Sequence, residues 1–215
     1  MAKIKVFDEN IGAYEKWFMD NKFVYQSELK AVEKAIPENV EGFEIGIGSG
    51  LFAKPFGIME GIEPSKKMRE KAKERNLEVV NAVAENLPFE NKSKNFALMV
   101  TSICFVDDIE RTFREANRVL KQNGNLIIGF VDKNSPIGKE YLKHRDESVF
   151  YQDAIFYGTE EVYKILAETG FEVEETYQTI FGKLDEVKTI QEVKAGYGKG
   201  SFVVIKAKKS KNGEK

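Results

Sequence analysis

Residues 42–52 read G-F-E-I-G-I-G-S-G-L-F, and they constrain the fold more than any other stretch of the chain. Phe43, Ile45 and Ile47 alternate as in a buried strand, and glycines at every second position, Gly46, Gly48 and Gly50, forbid that strand to continue. Such spacing lets the backbone turn with positive φ and lay bare main chain against a ligand, with the N–H groups of a following helix as donors. The stretch predicts a small-molecule cradle. The dinucleotide fingerprint G-x-G-x-x-G needs its third glycine where Leu51 stands, so the match to that pattern is defective.

Around this loop the chain alternates strand and helix. Segment 7–36 reads as two helices, with Tyr14, Trp17 and Phe18 at helical spacing in one and Leu29, Val32, Ala35 and Ile36 in the next, before Pro37. Short apolar runs at 56–62, 77–83, 96–100 and 126–131 read as strands. Between them Ser65 caps a helix running to about Arg75, with Asn76 as its stop, and Asp107 or Asp108 caps a second. The apolar face of that second helix is Ile109, Phe113, Ala116, Val119 and Leu120, closed by Asn123-Gly124. Residues 132–158 loosen into an aromatic-rich connection before Thr159 caps a helix ending at Gly170. The strands at 171–179 and 201–207 have no amphipathic helix between them, so they predict an antiparallel hairpin. The expected fold is α/β, with a doubly wound, mostly parallel sheet.

Composition removes several classes of function. With 215 residues, one domain over 1–215 is the expectation. A hydrophobic share of 42% beside a charged share of 32% excludes a disordered or membrane-embedded chain, and no apolar run is long enough to span a bilayer. The start, M-A-K-I-K-V-F-D-E-N, lacks the apolar core of a signal peptide, so the expected location is cytoplasmic. A formal charge of −2 gives no general attraction to nucleic acid or anionic membranes. Cys104 is the single cysteine and His144 the single histidine, which excludes an internal disulfide and ordinary zinc ligand sets.

In order along the chain stand E-I-G-I-G-S-G, G-I-E-P-S-K-K-M, A-E-N-L-P-F-E-N-K-S-K-N-F and F-R-E-A-N-R-V-L-K-Q-N-G-N-L-I-I. This series resembles the small-molecule class I S-adenosylmethionine-dependent methyltransferases, nearest to the subgroup that includes the ubiquinone and menaquinone biosynthesis methyltransferases. The resemblance implies a Rossmann-like seven-stranded sheet with an antiparallel last strand, S-adenosylmethionine as cofactor and a small-molecule acceptor. It implies a helical lid over 1–40, a cofactor-binding core over 41–131, an acceptor-side insert over 132–158, a helix and hairpin over 159–207, and a flexible tail over 208–215. Carried onto this sequence, it places Glu44, Gly46, Gly48 and Gly50 around the cofactor's methionine part, and gives Glu63 both ribose hydroxyls, as an acceptor-only carboxylate allows. Pro64 and Met68 would flank the adenine, with Ala84 and Glu85 at its far edge. Thr101, Ser102 and Ile103 would run beside the methionine portion, with Phe105 and Val106 near the reactive methyl.

The sequence departs from the family in two places. Val83 stands where members often carry an aspartate to the adenine amino group, and Phe105 stands where many carry histidine, so no general base is supplied there. No N-P-P-Y sequence occurs, which argues against enzymes acting on nucleic-acid bases. Methyl transfer demands alignment more than acid–base help when the acceptor has a lone pair. No catalytic residue is therefore fixed, and His144, Tyr151 and Tyr157 are the candidates to orient or deprotonate an acceptor. Tyr14, Trp17, Tyr151, Phe156 and Tyr157 are expected to wall the acceptor side and, for Tyr14 and Trp17, to close over the cofactor. Three alternatives stand beside this reading: a nicotinamide-dependent oxidoreductase, since Glu63 could equally hold an adenosine ribose, aminopropyl transfer from decarboxylated S-adenosylmethionine, for which an acidic amine pocket would be expected and is not evident in the sequence, and a non-catalytic S-adenosylmethionine-binding protein.

Overall fold

The computed structural model of the protein describes residues 2–210. Three helices lead the chain: α1 (Ala2–Glu9), α2 (Ile11–Asp20) and α3 (Lys22–Glu33). The two expected over 7–36 are α2 and α3, α1 precedes them, and asparagines separate the three. The Asn10 and Asn21 side-chain amides each donate to the carbonyl four residues back, Val6 and Trp17, at 2.9 Å. Each side chain joins its own backbone N–H on that last-turn carbonyl, and the backbone at both asparagines leaves helical angles, with ψ 26 and ψ 40, which breaks the run.

The sheet follows as β1 (Gly42–Ile45), β2 (Glu60–Ile62), β3 (Glu78–Val80), β4 (Lys94–Val100), β5 (Leu120–Val131), β6 (Phe171–Thr179), β7 (Lys194–Ala195) and β8 (Phe202–Lys209). Helix α4 (Lys66–Glu74) joins β2 to β3, α5 (Ile109–Val119) joins β4 to β5, and α6 (Pro136–Lys143) and α7 (Thr159–Glu168) lie between β5 and β6. The strand order is β3-β2-β1-β4-β5-β8-β6-β7. Strands β3 to β5 run parallel, and β8 is antiparallel to both β5 and β6, which is the hairpin arrangement expected of the last strand. The eighth strand is the two-residue β7 on the outer edge of β6.

Several boundaries move for local reasons. The strand expected over 56–62 shortens to β2 because Lys54–Phe56 form a single tight turn ended by Gly57 in the left-handed region. The one over 77–83 is β3 alone. Asn123-Gly124 does not close α5, which ends at Val119. It forms a bulge in β5, where the register passes from Lys94 opposite Leu120 to Phe96 opposite Asn125. Gly158, not Thr159, caps α7: its N–H is taken by Glu161 Oε2 at 2.7 Å, while the Thr159 hydroxyl donates to buried Asp132 at 2.6 Å. Of the tail expected over 208–215, Lys208 and Lys209 continue β8, with Lys209 Nζ donating to the Asn117 and Leu120 carbonyls. Residues 211–215 lie outside the described residues. Among the described residues no helix is long and apolar enough to cross a membrane.

Both faces of the sheet are apolar, as in a doubly wound fold. On β4 the period-two alternation sends Phe96, Leu98 and Val100 to the side packed by Val32 and Phe52, and Ala97 and Met99 to the side packed by Phe113 and Val119. The strand order reverses between β1 and β4. The crevice outside the carboxyl ends of the strands at such a reversal is where a sheet of this topology takes its ligand.

Candidate active site

A chamber of about 140 Å³ opens at the reversal point. Its floor is the glycine loop, through Gly46 and Gly48. One wall is Glu63, Pro64 and Met68, and the opposite wall comes from Ala84, Glu85, Thr101, Ser102 and Val106. Sequence spacing therefore brings most of the expected cofactor residues into one space. The remaining ones lie outside it. Gly50 faces Leu77, where an added Cβ would sit 2.2 Å from the leucine Cδ1, and its φ of +87 would strain any side chain whatever the space. Ile103 and Trp17 line a second, adjoining chamber.

Glu63 is buried at the end of β2 and is held by main chain: Oε2 accepts the Gly48 N–H at 3.0 Å and Oε1 the Ser65 N–H at 2.8 Å. Burial pushes its carboxyl up to about 7, against the pull of these two donors and of Arg69. Gly48 carries φ +56, and the geometry that turns its N–H onto Glu63 suits glycine. Glu44, at 2% exposure, stands on β1 behind the loop with Oε2 lacking any hydrogen-bond partner. Burial raises its carboxyl well above the ordinary range, the Ala53 N–H opposes this, and the Glu63 charge adds to it. Two buried acids thus sit close to one another, one with an unused oxygen.

The far edge differs from a free acidic reader of a base. Glu85 Oε1 is taken by the Asp107 and Asp108 N–H groups at 2.7 and 3.2 Å, and its carbonyl by Arg111 Nε at 2.9 Å. Its side chain fastens the loop after β4. Ser102 Oγ donates to the Ile45 carbonyl at 3.1 Å and ties the ends of β1 and β4 together. Thr101 adopts φ +51, a left-handed conformation that costs a β-branched residue on the order of 1–3 kcal/mol. Its N–H bond to the Gly129 carbonyl, 2.7 Å, holds it there.

The second chamber, about 360 Å³, lies between α2, α3, α6 and the segment after α6. Phe156, Tyr141, Tyr151, Tyr157 and Trp17 are among its aromatic walls. Phe7, Tyr14, Thr101 and Phe105 line both chambers and form their common boundary. The rings interlock there: Phe7 meets Phe105 edge-on at 4.9 Å and Tyr14 at 6.1 Å, and Phe105 stacks toward Tyr151 at 6.5 Å. The first helix reaches this position because Asp8 Oδ1 accepts from the Ser65 hydroxyl at 2.7 Å and the Lys67 N–H at 2.9 Å, at the start of α4. Burial raises the Asp8 carboxyl, and these donors with Arg69 outweigh it and hold the group below its usual value.

All three acid–base candidates border the second chamber. His144 is also bracketed by carboxylates, Nε2 by Glu140 at 3.0 Å and Nδ1 by Glu147 at 3.1 Å. Burial raises the Tyr151 phenol well above its ordinary value and raises that of Tyr157, so both stay neutral hydrogen-bonding groups at neutral pH. Sequence reasoning missed Phe7, Phe150 and Glu28. Glu28 had a readable signal: with Val24, Ala31 and Val32 it occupies the buried stripe of α3, where an acid has no ordinary reason to be.

Comparison with known proteins agrees with this geometry. A family model described as a methyltransferase domain matches residues 43–128. A solved Thermotoga maritima structure, described as a SAM-dependent methyltransferase and possible histamine N-methyltransferase, is 46% identical, with a TM-score of 0.94. That match covers 97% of this chain and all of the other. An uncharacterized Methanocaldococcus jannaschii protein is 42% identical over 96% of this chain and its own full length. A ubiquinone biosynthesis O-methyltransferase of Pelagibacter ubique is a distant relative, 25% identical over 58% of each chain. These findings displace the nicotinamide-dependent alternative. The chain belongs to the S-adenosylmethionine-dependent methyltransferases.

Proposed function

We propose that the protein transfers a methyl group from S-adenosylmethionine to a small molecule seated in the aromatic chamber, and that the smaller chamber holds the cofactor. The observation that carries this reading is the boundary of Phe7, Tyr14, Thr101 and Phe105 common to both chambers. When bound, S-adenosylmethionine supplies an electrophilic methyl on a positively charged sulfur. The smaller chamber's own chemistry suits such a ligand: the buried Glu63 carboxyl in its wall offers acceptor oxygens, Glu44 stands just behind the loop with an unpartnered oxygen, and Gly46 and Gly48 keep side chains out of the way.

In this reading Glu63 accepts the ribose hydroxyls while its Gly48 and Ser65 contacts fix its orientation. Glu44 faces the ammonium of the methionine part, with Gly46, Gly48, Thr101 and Ser102 alongside. Pro64 and Met68 flank the adenine, and Ala84 and Val106 close its far side, with Glu85 acting through the loop that it fastens. Gly50 supports the loop by packing. Segment 1–40 is the lid, and 132–158 supplies acceptor-side wall through Tyr141, Tyr151 and Tyr157. Tyr14 and the rings around it exclude water and turn their faces toward positive charge, an effect of about 0.5–2 kcal/mol per well-placed ring.

An aromatic chamber of about 360 Å³ favours a small acceptor over a nucleic acid or protein chain. The description of the Thermotoga maritima relative adds nitrogen to the acceptor atoms worth testing first. The test is to incubate the protein with S-adenosylmethionine deuterated in its methyl group and a whole-cell extract divided into metabolites, RNA and protein. Label in the metabolite fraction supports the reading, and label confined to RNA or protein overturns it.

A further inference from the structure

The aromatic chamber contains one feature that an apolar acceptor site does not need. Glu28, on α3, lines it at 4% exposure, and its Oε2 has no hydrogen-bond partner. No lysine or arginine is among the lining residues, and His144, the other group there able to carry positive charge, is already bracketed by Glu140 and Glu147. A buried ionisable side chain without a partner carries a desolvation cost that packing alone does not explain.

We infer that Glu28 is the specificity-determining residue of the acceptor chamber, and that the acceptor carries an ammonium that it binds, with an apolar or aromatic body against the surrounding rings; the atom that is methylated is a different one, which keeps a free lone pair. This rests on the assignment of the larger chamber to the acceptor. Three further observations support it. Burial alone pushes the Glu28 carboxyl up to about 8, with no neighbouring charge contributing, so a cationic ligand would be its first counter-ion. Its charge is felt by the phenols of Tyr14, Tyr141 and Tyr151, which places it among rings whose faces attract a cation. Tyr14 belongs to the boundary with the cofactor chamber, so a ligand gripped by Glu28 lies toward the site of transfer. An anionic acceptor would meet this carboxylate with no cation among the lining residues to offset it.

The discriminating experiment is calorimetric titration with 2-phenylethylamine and with 2-phenylethanol, which differ only in presenting an ammonium or a hydroxyl, to the wild-type protein and to Glu28→Gln. The titrations are run with and without saturating S-adenosylhomocysteine. The expected result is a preference of at least about tenfold for the amine in the wild type, lost in Glu28→Gln while the alcohol's affinity stays within about twofold. The variant's S-adenosylhomocysteine affinity verifies its fold. Equal affinity for the two probes in the wild type, an undiminished preference in the variant, or no binding of the amine would each overturn the inference. Failure of S-adenosylhomocysteine to bind the wild type would instead count against the cofactor assignment, and the cofactor-free comparison of the two probes would still decide the role of Glu28.

Discussion

Replacing Glu28 by glutamine should reshape the pH dependence of stability in a calculable way. The folded carboxyl titrates near 8, against 4.5 for an ordinary glutamate, because burial disfavours its charged form. Between these values the folded protein holds a proton that the unfolded chain has released, so this group's contribution to stability is complete below pH 4.5 and lost as pH rises to about 8. At about 1.36 kcal/mol per unit, the interval corresponds to roughly 5 kcal/mol as an upper figure. Glutamine has a similar shape and does not titrate. Urea unfolding of both proteins at intervals from pH 5 to pH 9 should therefore show the variant gaining several kcal/mol relative to the wild type, the gain levelling off above pH 8. Glu44 and Glu63, also raised by burial, are present in both proteins and largely cancel in the difference. Parallel stability curves would refute the reasoning, because they would mean that the Glu28 carboxyl is already solvated or paired in the folded protein.

Other perturbations address the cofactor chamber and its cover. Glu63→Gln, which keeps one acceptor oxygen near Gly48 or Ser65, should weaken S-adenosylhomocysteine binding by about 1.5–3 kcal/mol in calorimetry. An unchanged dissociation constant would remove Glu63 from the cofactor site. Gly48→Ala should destabilise the fold by about 1–2 kcal/mol in chemical denaturation, since a Cβ is imposed on a left-handed residue. An unaltered midpoint would show that the loop relaxes freely. Hydrogen exchange across residues 7–21 should slow when S-adenosylhomocysteine binds, and Asp8→Ala should speed exchange in α1 by removing its bonds to Ser65 and Lys67. Equal exchange in all these states would make the segment a fixed part of the core.

What was legible in the sequence was what local chemistry determines. The Gly46, Gly48 and Gly50 series marks the end of β1. Ser65 and Asp108 cap α4 and α5 through their own side chains, accepting from Met68 N at 3.2 Å and Arg111 N at 2.9 Å. The positions of Glu63 and of the residues after β4 follow from the strands that carry them. Less legible was what depends on contacts distant in the chain. The bulge at Asn123-Gly124 looks like a helix stop until β4 is laid beside it. Glu85 looks available for a base until the Asp107 and Asp108 N–H groups are seen to claim it. Gly50 shares the spacing of the loop but answers to Leu77, on the far side of α4. Phe7 and Phe105 are far apart in sequence, and their contact emerges only when Asp8 fixes α1 against α4.

The most direct test of the account is a crystal structure of the protein grown with S-adenosylhomocysteine. The account predicts the ribose on Glu63, the adenine between Pro64 and Met68, and the sulfur turned toward the boundary of Phe7, Tyr14, Thr101 and Phe105, with the aromatic chamber left open beyond it. Nucleoside density inside the aromatic chamber, or a ribose lying away from Glu63, would contradict it.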